Sequence, residues 1–505
     1  MANAFEVDDV ESYRARGVDG AMDLLLSLPS RPGNVLPPAK HDTRESTIQI
    51  MQHYMRRLRM DITDLSVIHI AGTKGKGSTT AFTESILRAH GVRTGMFTSP
   101  HLIHVCERFR INGKPIAEAT FLTHFWAVWD GLYATKDQAT DEPPMAGFFR
   151  FFTLLALRIF AAEAVDVVIL EVGLGGRLDA TNVVPHPVVC GVTTLDLDHT
   201  RVLGETLDLI AREKAGIFKR NVPAFTIAQP EIAATMLERC AVEHGNPLFV
   251  VPALSTFNVD VTSLGLHGDY QHVNAALAIV LATQWLQRKS PLPLPPSYPT
   301  LATPTVLSGL ASAFWPGRAQ TISDPTSSAT YYVDGAHTPL SMQCCGAWFS
   351  QNCDKQPTDQ RVLIFNCHHE RDIVAILQPL LALSFDHVIF TPSRSCRPSF
   401  VKIPSVQEAL LKARIAIDGV PASVFDMTNC PPNGDKQYWQ FICSKVWIAL
   451  HNGRAAPKTS ICHSVEDSIA LIRSTAPAHA RVLATGSLYI VGDTLSALGW
   501  TEQQH

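Results

Sequence analysis

VIHIAGTKGKGSTTAFTESIL, residues 67–87, decides how the chain is to be read. Residues 67–71 form a short, mostly apolar, β-prone run that enters a glycine-rich turn, Gly72 to Gly77. A helical pattern begins at Ser78, with Ala81, Phe82, Ile86 and Leu87 as apolar positions. Strand, tight turn and helix N-terminus in that order make a phosphate cradle. Gly75 and Gly77 let backbone N–H groups close around anionic oxygens, and the helix dipole adds positive potential. Gly72, Thr73 and Lys74 complete the turn. Lys76 is placed to reach terminal phosphates, and the Ser78 hydroxyl can ligate Mg²⁺. The spacing departs from the common G-x-x-x-x-G-K-[ST], because Gly77 separates the lysine from the serine.

Outward from this stretch, strand-like and helix-like runs alternate. A run at 93–98 leads to Ser99-Pro100, after a helix that Gly91 can terminate. Residues 148–160 read as an apolar helix, and 165–170 as a buried strand closed by Glu171. Strands at 188–194 and 222–227 flank a helix at 205–219, and 271–287 reads as one long helix. Such alternation predicts an α/β fold with a doubly wound, mostly parallel sheet. Ligands then gather beyond the carboxyl ends of the strands, where the phosphate turn, Ser99, Glu171 and His199 should meet. The Pro-dense stretch 289–305 cannot be regular structure, so the domains are expected at 1–300 and 301–505. In the smaller C-terminal α/β domain, strands are expected at 331–334, 361–366, 387–391, 422–426 and 481–485. Residues 13–28 and 46–58 are helix-like around a break at 29–39, and 132–146 reads as an exposed excursion. Residues 427–460 resist assignment.

Bulk composition narrows the function. At 505 residues, 46% hydrophobic and 17% charged, the chain has room for two or three domains. A net charge of −4 carries no footprint for nucleic acid. No apolar run reaches the ~18–20 residues that span a bilayer, and the first residues lack the apolar core of a secretory signal. Eleven scattered cysteines without a C-x-x-C pair read as reduced, mostly buried thiols. A cytoplasmic protein is expected, with a mitochondrial pool left open.

Glu171 after four apolar residues needs a partner or a metal, since a buried carboxylate alone is costly. With Ser78 and Ser99 it makes an oxygen set of the kind Mg²⁺ prefers. His199 is a less usual Mg²⁺ ligand. Cys367-His368-His369-Glu370 has no second ligand set nearby to make it a metal site.

The loop GTKGKGST resembles that of the Mur-type ATP-dependent amide ligases, and within them the folylpolyglutamate synthases; the likeness runs from about 64 to 492. Asp198-His199-Thr200-Arg201-Val202-Leu203-Gly204 matches the family's D-H-x-x-x-L-G, which implies His199 as ligand to a second metal. Lys214 stands in the E-K-A-G-I motif, whose lysine is carbamylated in the family. Gln271 and Asn274 would lie on the nucleotide side. Trp315-Pro316-Gly317-Arg318 and Asp334-Gly335-Ala336-His337 match the W-P-G-R and D-G-A-H motifs. Arg318 would then pair with phosphate oxygens, Asp334 would hold ribose or order the site, and His337 would be catalytic.

The resemblance implies a Mur-ligase-like fold and ATP-dependent joining of L-glutamate to a folate carboxylate through an acyl phosphate. It implies ATP, Mg²⁺ as two ions, a monovalent cation as a further candidate, and a monomer. Departures concentrate where the acceptor would bind. Phe109 replaces the isoleucine of E-R-I-R-I-N-G, and Gly175-Gly176-Arg177-Leu178-Asp179-Ala180-Thr181-Asn182 is the form associated with dihydrofolate synthase. Dihydrofolate synthase, a paralogue acting on a non-folate acid, and a non-catalytic nucleotide-binding protein are the alternatives.

Overall fold

The computed structural model describes residues 9–28, 47–139, 143–289, 297–353, 359–394, 402–417, 420–451, 456–475 and 479–502. The expected break at 29–39 lies outside them, as do parts of the 132–146 and 289–305 stretches. Two units form: residues 1–265 with 271–314, and residues 266–270 with 315–505.

Among its described residues the first unit carries eight strands: β1 Val67–Ala71, β2 Thr94–Phe97, β3 Phe109–Ile111, β4 Lys114–Pro115, β5 Val167–Glu171, β6 Val189–Val192, β7 Ala224–Thr226 and β8 Leu248–Val250. Their order is β4-β3-β2-β5-β1-β6-β7-β8, parallel except at β3 and β4. β1 lies between β5 and β6, and all five of its residues are buried, as a strand covered on both faces requires. The order reverses beside β1, since the chain runs outward to β2 and later returns to β6. That reversal opens a crevice at its carboxyl end. Aromatic side chains of the helices Glu118–Ala134 and Phe148–Ala162 fill much of the core, with Phe125 and Phe151 rings 4.8 Å apart.

The phosphate-loop helix spans Lys76–Ala89 and so starts two residues before the expected Ser78. Ser78 to Leu87 are all buried although six of the ten are polar. Their hydroxyls are satisfied locally: Thr80 donates to Lys76 O (2.9 Å), Thr83 to Thr79 O (2.7 Å) and Ser85 to Gly309 O (2.7 Å). The helices Gln271–Leu286 and Pro304–Ala311 pack against it. That packing keeps 301–314 in the first unit, so the division falls after Phe314 rather than at 300.

The second unit has β9 Gln320–Ser323, β10 Thr330–Val333, β11 Gln360–Phe365, β12 His387–Phe390, β13 Lys458–Ile461 and β14 Ala480–Thr485. They are ordered β13-β12-β11-β14-β10-β9, with β9 antiparallel. Two expectations are corrected here. Residues 422–426 form no strand but a 3₁₀ turn, Ala422–Val424, after which Asp426 accepts the Thr428 N–H and halts any extended run. The helix expected over 205–219 is shorter, Leu207–Ala215, preceded by a separate turn at Thr200–Leu203. The unassigned 427–460 contains the helix Tyr438–Leu450, apolar on nearly every side and hence without a readable period. Among the described residues no helix is long and apolar enough to cross a membrane.

A Cβ on Gly309 would lie 2.6 Å from Ile86 Cα and 3.0 Å from Ser85 O, neither of which can swing away. Gly309→Ala is therefore expected to lower unfolding free energy by about 1–3 kcal/mol in denaturant titrations.

Candidate active site

β1 ends at Ala71, and the register Ile70↔Glu171 sets Glu171 at the neighbouring strand end. Gly72 then turns with φ 151°, where a Cβ would overlap the Thr193 hydroxyl, so only glycine fits. Gly75, at φ 85°, similarly lies under the Asn274 side chain. The loop is tied down from β6: Thr73 N and Lys74 N both donate to Thr194 O (2.9 and 3.1 Å), and Thr193 Oγ1 donates to Lys74 O (2.7 Å).

Lys76 Nζ folds back to donate to Gly72 O at 3.0 Å. Lys214, buried at 4% exposure, donates to the same oxygen at 2.8 Å. Burial holds the Lys214 ammonium well below the ordinary lysine pKa, and the charge of Lys76 adds to the shift. Ser78 Oγ accepts from Gln271 Nε2 (3.2 Å), and Gln271 Oε1 accepts from Asn274 Nδ2 (2.9 Å). Thr79 Oγ1 reaches Asn274 Oδ1 at 3.4 Å. Gly72, Lys76 and Lys214 thus share one carbonyl, Thr73 and Lys74 are tied to Thr194, and Ser78, Gln271 and Asn274 form a bonded chain beside Gly75, with Gly77 between Lys76 and Ser78 at the helix start. The head of Lys74, however, is paired with Asp198 (2.9 Å), which turns it toward the His199 loop.

On the adjoining strand ends, Ser99 N donates to Glu171 Oε2 (2.9 Å). Hydroxyls of Ser78 and Ser99 with the Glu171 carboxylate are an oxygen-only set that suits one hard divalent cation completed by phosphate oxygens and water. The second ion fits less well. His199, at φ 52°, has its side chain half exposed and its Nε2 3.8 Å from Asp198 Oδ1. Among the described residues no three His, Cys, Asp or Glu side chains gather as a metal cluster, the 367–370 stretch included. An ammonium at Lys214 repels a cation; only a carbamate there would supply an oxygen.

Within the second unit, Asp334 is buried and accepts from Ala319 N (2.9 Å), Ala336 N (2.9 Å) and Tyr270 Oη (3.0 Å). Burial raises its pKa against the lowering charge of Arg318. His337 Nδ1 lies 2.7 Å from Gly335 O. A carbonyl only accepts, so Nδ1 carries the proton and Nε2 the lone pair in the neutral ring. Thr338 and Ser341 cap the following helix Pro339–Asn352 reciprocally, which fixes the turn bearing His337.

Several supporting residues were not singled out from the sequence. Thr193 and Thr194 carry no motif, yet they directly follow β6 beside the loop. His69 Nε2 is 2.9 Å from Thr181 Oγ1, which donates to Asp179 Oδ1 at 2.6 Å. Burial lowers the His69 pKa to about 3. The folded chain therefore leaves this ring neutral while the unfolded chain protonates it below about 6.5. Stability present above that pH falls as pH drops from about 6.5 toward 3, by a total on the order of 4 kcal/mol. His69→Gln should flatten the profile of melting temperature between pH 6.5 and 4; parallel profiles would contradict this.

No protein-family model matches the sequence. The mitochondrial folylpolyglutamate synthase of Bos taurus is 37% identical over 91% of this chain and 88% of its own length. A folylpolyglutamate synthase of Arabidopsis thaliana is 39% identical over 90% and 85%. Among solved structures, E. coli FolC in complex with DHPP and ADP superposes with a TM-score of 0.68 at 24% identity, covering 96% of this chain and 98% of that one. The Mycobacterium tuberculosis folylpolyglutamate synthase with ADP and AMPPCP gives 0.68 and 24%, over 90% and 96%. The two structures share the fold, and the two sequence relatives place this chain in the folylpolyglutamate synthase family.

Proposed function

We propose that the residues just described carry out, in this chain, the family's ATP-dependent addition of L-glutamate to the glutamyl side-chain carboxylate of a tetrahydrofolate. The chain is a ligase by family, and no observation favours dihydrofolate synthesis, a non-folate acid or a non-catalytic role. The observation that carries the assignment is the pair of lysines on one carbonyl. Lys76 and Lys214 bring two ammoniums to Gly72 O at 3.0 and 2.8 Å, an arrangement that an arriving triphosphate would relieve.

In this reading the 72–78 backbone and Lys76 hold the β- and γ-phosphates in line for transfer to the folate carboxylate. Gln271 and Asn274 keep Ser78 and the loop in place. Arg318 and Asp334 serve nucleotide recognition, the guanidinium offering a planar, permanently charged fork to phosphate. His337 Nε2, oriented by its Nδ1–H bond, takes the proton that glutamate's amine loses on attacking the acyl phosphate. Magnesium, held by Ser78, Ser99 and Glu171, would supply charge neutralisation at the phosphates. His199 and a carbamylated Lys214 would hold a second ion. A lowered lysine pKa is what carbamylation needs, because only the neutral amine adds to CO₂. A cytoplasmic monomer completes the proposal, to be checked by cell fractionation and light scattering.

Lys76→Ala should abolish ATP-dependent ligation with the fold intact by circular dichroism; unchanged turnover would sink the cradle assignment. Lys214→Met should also abolish turnover without lowering melting temperature, because Gly72 O keeps Lys76 and a buried charge is removed. Protein equilibrated with ¹³C-bicarbonate should show one lysine carbamate resonance, missing from Lys214→Met. Its absence from the parent would overturn the modification.

A further inference from the structure

Tyr270 and Gln271 are consecutive, and the peptide bond joining them is where the chain passes from the second unit to the first. The Gln271 amide is engaged with Ser78 of the phosphate loop. The Tyr270 hydroxyl is engaged with Asp334 Oδ2 at 3.0 Å. We infer that Tyr270 is a positioning residue for nucleotide binding, acting through Asp334. The inference rests on the reading of Asp334 as a nucleotide-side residue.

The argument is an inventory of lone pairs. An ionised carboxylate offers about four acceptor sites. Oδ2 takes two donors, Ala319 N at 2.9 Å and Tyr270 Oη at 3.0 Å. Oδ1 takes one, Ala336 N at 2.9 Å. The remaining acceptor capacity therefore sits on Oδ1, and its direction is set by what holds Oδ2. Two of the three donors are backbone groups within the carboxylate's own unit. Tyr270 is the one side chain among them, and it comes from a five-residue segment, 266–270, bounded in sequence by the first unit on both sides. Burial, with the Asp334 charge beside it, raises the phenol pKa well above its usual value, so the hydroxyl stays a donor. Without it, the carboxylate is held by the Ala319 and Ala336 N–H groups alone, one on each oxygen, and Oδ1 is aimed less firmly. A hydrogen-bonding hydroxyl of the ligand, as on a ribose, is the group such an oxygen would receive.

Tyr270→Phe keeps the ring and deletes only the donor. Steady-state kinetics on the full chain should show KM for ATP raised about tenfold, as for one lost bond to a charged group, with kcat and KM for glutamate unchanged. Asp334→Asn should raise KM for ATP by itself, and Tyr270→Phe should add nothing in that background. If Asp334→Asn leaves KM for ATP unchanged, the reading of Asp334 fails and takes this inference with it. If Asp334→Asn raises it while Tyr270→Phe does not, or the two effects simply multiply, the inference alone is overturned. A fall in melting temperature without a change in KM assigns Tyr270 a structural role and also overturns it.

Discussion

The carbonyl oxygen of Gly72 receives two ammoniums, Lys76 at 3.0 Å and Lys214 at 2.8 Å, and the rest of the first unit is arranged to hold it there. Its place follows from β1, buried between β5 and β6. Its conformation follows from Thr193, which leaves no room for a side chain. Thr194 pins the next two amides. A buried lysine beside a second cation is unfavourable while both are charged, and that cost has a use in the proposed reaction. It disfavours the protonated form of Lys214 and prepares the loop for an anion.

The phosphate helix solves a related problem. It is buried from Ser78 to Leu87 yet rich in threonine and serine, so it cannot rely on an apolar stripe. Thr80, Thr83 and Ser85 close on backbone carbonyls, Ser78 and Thr79 meet the side chains of Gln271 and Asn274, and Glu84 accepts from Thr94 Oγ1 at 2.7 Å. Because Gly309 lets a second helix approach to backbone contact, the loop is mounted on a close-packed support rather than a surface turn. The second unit repeats the plan on a smaller scale. Asp334 and His337 follow β10, and Thr485 at the end of β14 donates to Asp334 O at 2.8 Å. Three donors hold the carboxylate in one orientation.

What could be read from the chain alone was whatever periodicity or spacing encodes locally. The strand at 67–71, the glycine turn and the polar residues just past strand ends were visible because buried parallel strands are continuous apolar runs. Their convergence follows from the winding of the sheet. The bonds of Lys214 and Tyr270 were not visible, since each joins residues far apart in sequence: Lys214 to Gly72, Tyr270 to Asp334. The 438–450 helix was hidden because a helix buried on nearly all sides has no amphipathic period. The edge strands β9 and β13 were missed because each is only four residues long, with at least three of them exposed or half-exposed, and looks like loop. The division after Phe314 was obscured by the prolines before it, which mark a break in regular structure and not a change of unit.

The most direct measurement is phosphate release from ATP with Mg²⁺ and glutamate, with tetrahydrofolate, dihydropteroate or neither added, and products weighed by mass spectrometry. The account predicts phosphate release dependent on tetrahydrofolate and a product heavier by one or more glutamyl residues. A glutamylated product from dihydropteroate alone, or no product from protein that still binds ATP, would contradict it.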